Sequence, residues 1–105
     1  MIEVTIKRDG KARSFVVDHH EVVIGRLNEK MEVHADLSGD DSVSRIHARA
    51  WEKKGIVYLE DLKSSGGTYI EGSAIDNIVA LESDTEVAIG NNCLCFRIKK
   101  SISKG

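Results

Sequence analysis

Three short stretches of this chain gather hydroxyls, guanidiniums and freely turning backbone. The densest is Asp40-Asp41-Ser42-Val43-Ser44-Arg45-Ile46-His47-Ala48-Arg49. Asp40 to Ser44 is loop chemistry, with short polar side chains that bond to nearby backbone and favour turns. From Ile46 the pattern becomes period two, with Ile46, Ala48 and Ala50 on one face and His47, Arg49 and Trp51 on the other. Ser44 and Arg45 therefore stand where a loop becomes a strand. A hydroxyl and a guanidinium at such a rim, with loop amides beside them, suit an anion. Gly25-Arg26 closes an earlier apolar run with a second guanidinium, and Ser64-Ser65-Gly66-Gly67-Thr68 follows another at Asp61.

Each of these residues also has a plain structural use. Arg26 alone reads as a solvated loop arginine. Ser44 can cap its own turn, and Arg45 can pair with Asp40 or Asp41. Asp36, Asp40 and Asp41 read as solvated loop carboxylates, which would repel an acidic ligand. Ser44 and His47 do not make a nucleophile and base, because that chemistry also needs an orienting group and an oxyanion hole. The Gly66-Gly67 pair lacks the Gly-Lys-Ser/Thr of a nucleotide loop. His19, His20 and His34 have no ligand spacing, so no metal centre is expected.

The elements that must position these residues are all strands. Alternation or apolar runs mark residues 2–7, 14–17, 22–25, 32–36, 46–52, 56–61, 68–70, 73–75, 78–81, 85–89 and 92–99. Turn signals separate them at Asp9-Gly10, Lys54-Gly55, Glu71-Gly72 and Gly90-Asn91. No segment carries a 3.6-residue period, so no long helix is expected. Eleven short strands at this spacing predict an all-β sandwich.

The chain has 105 residues, room for one domain with a core of its own. Net charge is -2, so no global field favours nucleic acid or an anionic membrane, and any anion site must be a local cluster. Residues 1–100 are expected to form the domain and 101–105 a tail or the start of a linker. No apolar run approaches a membrane span, and no signal-peptide pattern opens the chain, which makes the cytoplasm the expected compartment. Cys93 and Cys95 are too close for an easy disulfide and lack further ligands for a metal, so reduced thiols are expected. Leu94, Phe96 and Ile98 take the core phase and leave both cysteines on the outer face with Arg97.

Gly25-Arg26, Ser44-Arg45-x-His47-Ala48 and Ser64-Ser65-Gly66-Gly67-Thr68, in this order and spacing, resemble the forkhead-associated (FHA) family of phosphothreonine-binding modules. The resemblance runs from about Glu3 to Ile98. It implies an eleven-stranded β-sandwich with binding loops at one end, no catalysis and no cofactor. It also implies a monomeric module that binds a threonine-phosphorylated protein in signalling. By resemblance, Arg26, Ser44, Arg45 and Ser65 contact phosphate. His47 faces inward and ties the loops together, while Gly25, Gly67 and Thr68 shape them. Gly66 departs from the pattern, which has an asparagine here that bonds the ligand's main chain. Restoring that asparagine is expected to tighten peptide binding. The departure also favours an alternative, a phosphate-independent scaffold on the same fold.

Overall fold

The computed structural model describes residues 1–99, and the tail expected at 101–105 lies outside the described residues. Eleven strands follow one another: β1 (Ile2–Arg8), β2 (Lys11–Val17), β3 (Glu21–Gly25), β4 (Ala35–Asp36), β5 (Ile46–Lys53), β6 (Ile56–Asp61), β7 (Tyr69–Ile70), β8 (Ser73–Ala74), β9 (Val79–Leu81), β10 (Val87–Ile89) and β11 (Asn92–Ile98). They form a six-stranded sheet in the order β2-β1-β11-β10-β7-β8 and a five-stranded sheet in the order β4-β3-β5-β6-β9. All pairings are antiparallel except β3 with β4. The expected sandwich is the observed fold. Several short strands are shorter than their apolar patterns suggest: β4, β9 and β10 pair over two or three residues each.

Three hairpins turn through two-residue loops with both residues at positive φ, at Asp9-Gly10, Lys54-Gly55 and Glu71-Gly72. This backbone matches the right-handed twist of the flanking strands. The facing sheets bury Ile2, Val4, Ile6, Val22, Ile24, Ala48, Ala50, Val57, Leu59, Val87, Ile89, Leu94 and Phe96 in one core. Cys93 and Cys95 are free, half-buried thiols on the outer phase of β11, as the alternation predicts. Burial pushes both thiols up, and Glu86 adds to it, so neither is an activated nucleophile.

One departure from alternation sets up the rest. Ile24 pairs with Ala48 and Gly25 with Ile46, so β5 carries one extra residue, His47, opposite β3. A bulge of this kind re-aims a side chain. His47 therefore turns into the sandwich and is fully buried, as is the adjacent Ala48. The strict alternation that placed His47 outside with Arg49 and Trp51 fails here for this reason. The same crossing explains Gly25. A Cβ on residue 25 would lie 2.1 Å from the Arg45 carbonyl oxygen. Arg26 N–H then donates to that carbonyl at 3.1 Å. Replacing Gly25 by alanine must push β5 away from β3. Overpacking costs about 1–3 kcal/mol or more, so Gly25→Ala is expected to lower the melting temperature by about 10 °C or more. Thermal unfolding followed by circular dichroism measures this.

Candidate functional site

Three loops meet at the end of the sandwich where β3, β4 and β6 finish and β5 begins. Arg26 sits at the exit of β3, half-buried, and brackets Ser44 through the residues on either side of it. Its main-chain N–H donates to Arg45, and its Nε donates to the Val43 carbonyl at 2.7 Å. With Nε fixed, both terminal guanidinium nitrogens stay free of hydrogen bonds among the described residues. A guanidinium with both terminal nitrogens unengaged can offer an oxyanion two parallel donors.

Ser44 and Ser65 come from different loops and meet. The Ser65 N–H donates to Ser44 Oγ at 3.1 Å, and the two hydroxyls are 3.4 Å apart. Arg45 is exposed, beside Leu27, Asn28, Glu29 and Lys30. It makes no ion pair with Asp40 or Asp41 among the described residues. Arg26 thus contacts Val43 and Arg45, the two neighbours of Ser44, and Ser44 in turn contacts Ser65.

The buried imidazole of His47 spans both loops. Its Nδ1 accepts the Ser44 N–H at 3.0 Å, and its Nε2 lies 2.8 Å from the Gly67 carbonyl. An acceptor at Nδ1 and a carbonyl at Nε2 fix the neutral Nε2–H tautomer. Both ring nitrogens are occupied by backbone groups, and the contact with Ser44 is to its amide, not its hydroxyl. That is incompatible with a serine–histidine nucleophile pair. Thr68, fully buried, donates through Oγ1 to Asp61 at 2.7 Å. Asp61 also accepts the Ser64 hydroxyl at 2.6 Å and the Ser64 N–H at 3.1 Å. Burial pushes the Asp61 carboxyl up, and these hydrogen bonds outweigh it, leaving the group below its ordinary range.

Gly66 has a role that differs from the one its type suggests. A Cβ there would sit 2.9 Å from the Ser42 carbonyl oxygen. The obstacle is backbone and cannot swing away. Residue 66 is the place where the Ser64–Thr68 loop packs against the Asp40–Ser44 loop. An asparagine here would have to displace the Ser42 carbonyl before its amide could hold a ligand.

Of the acidic residues, Asp41 is exposed as expected, and Asp40 departs from the reading. Asp40 is not a solvated loop carboxylate, being only 4% exposed. It accepts from Ser42 N–H at 3.0 Å, Ser42 Oγ, Asn91 N–H at 2.8 Å and Asn92 Nδ2 at 3.0 Å. The Ser42 hydroxyl and the Asn91 amide hold its carboxyl down at about 2. Asp36 likewise accepts the Ser38 N–H at 2.9 Å. Asn28 ties the first loop down by donating to the Arg26 carbonyl at 2.9 Å and the Arg45 carbonyl at 3.3 Å, while its own oxygen accepts two amides. Reading the sequence missed the roles of Asp40, Asp61 and Asn28. Aspartate or asparagine two or three residues before a serine or turn signals local capping, but nothing local distinguishes Asp40 from Asp41.

A second cluster takes two of its three members from the later part of the β3–β4 loop. His19, Glu32 and His34 bring one donor atom each within 4.8 Å of one another, although their spacing in sequence gave no hint of it. His34 Nδ1 accepts the Val23 N–H at 2.9 Å. That places the proton on Nε2, the atom facing Glu32 at 3.6 Å. A protonated nitrogen has no lone pair for a metal.

The FHA domain profile matches residues 22–90, and the chain belongs to the FHA domain family. Its fold is shared with the FHA domain of the CT664 protein from Chlamydia trachomatis, at 24% identity and a TM-score of 0.78 over 94% of this chain and 98% of that one. The FhaA FHA domain, solved in complex with the intracellular domain of Rv3910, superposes at 22% identity and a TM-score of 0.75, over 92% of this chain and all of that one. Mycobacterium tuberculosis EmbR, solved with a low-affinity phosphopeptide, matches at 22% identity and a TM-score of 0.77, over 96% of this chain and 26% of EmbR. No curated protein matches the chain in sequence. Among the described residues, no helix is long and apolar enough to cross a membrane.

The Asp40 carboxyl makes a pH prediction. Its folded value, about 2, lies below its ordinary 3.8. The unfolded chain then takes up the proton first, so this stabilisation is full above about pH 4 and is lost as pH falls towards 2. Asp40→Asn is expected to be less stable at neutral pH, by roughly 1.5–3 kcal/mol. It should also lose less stability than the parent between pH 4 and pH 2. Urea unfolding of both proteins across that range measures the difference.

Proposed function

We propose that this domain binds a phosphothreonine-bearing segment of a partner protein and serves phosphorylation-dependent assembly in signalling. The observation that carries the reading is the guanidinium of Arg26, fixed through Nε on the carbonyl of Val43, the residue before Ser44, with its terminal nitrogens free among the described residues. In this reading Arg26 grips two phosphate oxygens. Ser44 Oγ and the Ser65 hydroxyl exchange their mutual contact for one to the phosphate, and Arg45 adds charge from the exposed side. Gly66 carries no side chain to the ligand and serves by letting the loops close. Family membership and the relatives solved with a phosphopeptide or a protein partner support this. The domain, residues 1–100, would act as a monomer in the cytoplasm, without cofactor or catalysis and without nucleic acid or membrane as partner.

A second reading, a scaffold that needs no phosphate, is favoured by one observation. The hydroxyls of Ser44 and Ser65 lie within reach of each other, and the Ser65 amide donates to Ser44, so protein groups alone join the two loops. Titrating one peptide library in its phosphorylated and unphosphorylated forms separates the two readings. Under the first, only the phosphorylated peptides bind, and binding weakens with salt because the contact is between charges. Equal binding of both forms would establish the scaffold.

Arg26→Ala should remove charge-assisted hydrogen bonds of roughly 1.5–3 kcal/mol, or about one to two decades of phosphopeptide affinity. Its melting temperature should fall by less than that of His47→Ala, which leaves the Ser44 amide and Gly67 carbonyl unpaired in the interior. Calorimetric titration with parallel thermal melts tests both statements.

Gly66→Asn and Gly66→Ala should both weaken binding of the same peptide while the fold persists, because any Cβ displaces the Ser42 carbonyl and spreads the pocket. Tighter binding by Gly66→Asn would show that the loop yields and that the asparagine reaches the ligand.

A further inference from the structure

The outer face of the five-stranded sheet carries a second, differently built surface. Trp51 and Tyr58 are paired across β5 and β6 and stack with centroids 5.9 Å apart. The Arg49 guanidinium lies 4.5 Å over the Trp51 ring and is itself held by Glu60 at 2.7 Å and Glu21 at 3.3 Å. Three flat groups are thus fixed in a row. Cross-strand pairing accounts for the aromatic pair as a sheet stabiliser. It does not account for Ile56 and Ile78 beside them, which stay 42% and 50% exposed. Trp51, Tyr58, Ile56 and Ile78 line one open groove together with Lys53 and Lys54. Exposed apolar groups gathered on one face mark interaction surfaces, and a pre-ordered aromatic anchor lowers the entropy cost of docking.

Charge decides the occupant. Arg49 with its two glutamates leaves one net negative charge at the far end of the aromatic row, whereas Lys53 and Lys54 form no ion pair among the described residues. The rim is therefore locally positive on a chain whose net charge is -2. Next to the groove, β9 ends its sheet and offers an unpaired backbone edge. We propose that the groove formed by Trp51, Tyr58, Ile56 and Ile78, with Lys53 and Lys54 at its rim, docks an extended partner segment that alternates apolar and acidic residues. Apolar side chains of the segment fill the groove, carboxylates meet the two lysines, and its backbone runs along β9. The groove lies by the β5–β6 turn, while Ser44 precedes the other end of β5. Eight strand residues separate the two, about 25 Å at the rise of a β-strand. One partner can therefore engage both sites, the docking segment raising the local concentration of the phosphorylated one.

The test uses the 15N-labelled chain and two phosphate-free ten-residue peptides, one alternating apolar residues with Glu, the other with Lys in place of Glu. The acidic peptide is expected to shift the Trp51 indole and the amides of Lys53, Lys54, Ile56 and Ile78 in NMR spectra, leaving Arg26, Ser44 and Ser65 in place. The basic peptide should bind at least tenfold more weakly. Lys53→Glu with Lys54→Glu, changes at the exposed last residue of β5 and the exposed turn residue after it, should weaken the acidic peptide by about tenfold, and Ile78→Glu should do the same. Absence of shifts at millimolar acidic peptide would overturn the proposal. So would shifts confined to the phosphate loops, or equal binding of the two peptides. Shifts of the same residues that grow with protein concentration alone would also overturn it, by making the face a contact between copies of this chain.

Discussion

Everything at the recognition end hangs on one imidazole buried between two loops. His47 accepts the amide of Ser44 and donates to the carbonyl of Gly67, so the serine loop and the glycine loop share a single rigid bridge. Both partners are backbone groups that burial would otherwise leave unpaired, and an unpaired buried polar group is costly. The ring reaches them only because the β5 bulge turns it inwards. The side chain of the most enzyme-like residue in the chain is thus spent on holding two loops at a fixed separation.

Two carboxylates extend that bridge. Asp40 fastens the serine loop to the β10–β11 turn through Asn91 and Asn92, fifty residues away in sequence. Asp61 fastens the glycine loop through Ser64 and Thr68. Each accepts several charge-assisted hydrogen bonds, which keeps it ionised despite its surroundings. Asp40 is buried, whereas Arg26 is half-buried and Arg45 exposed, so the positive charges are the more accessible ones. A chain with a small net negative charge can in this way offer a local anion site.

Gly66 shows how a missing side chain is read differently in one dimension and in three. As a residue type it stands for lost contacts and added flexibility. In place, it is the point of closest approach between two loops, where the Ser42 carbonyl occupies the volume a Cβ would need. That closeness is what lets Ser65 reach Ser44.

By itself, the sequence determined the sandwich and most of its strand boundaries, because alternation and turn chemistry are local and repeat with a period of two. The residue types and spacing of Arg26, Ser44, Arg45, His47 and the Ser64–Thr68 stretch identified the family and the end of the sheet where they gather. Tertiary structure alone decided that Asp40 is buried and Asp41 exposed, since identical neighbours differ only in what packs on them from β10 and β11. It decided that His47 breaks the alternation of its strand, since a bulge is set by the register with β3. And it brought together residues with no sequence relation, Arg26 with Val43, His19 with His34, and Trp51 with Tyr58 and Ile78. Side-chain type fixes what a group can bond, and strand pairing across long separations fixes what it meets.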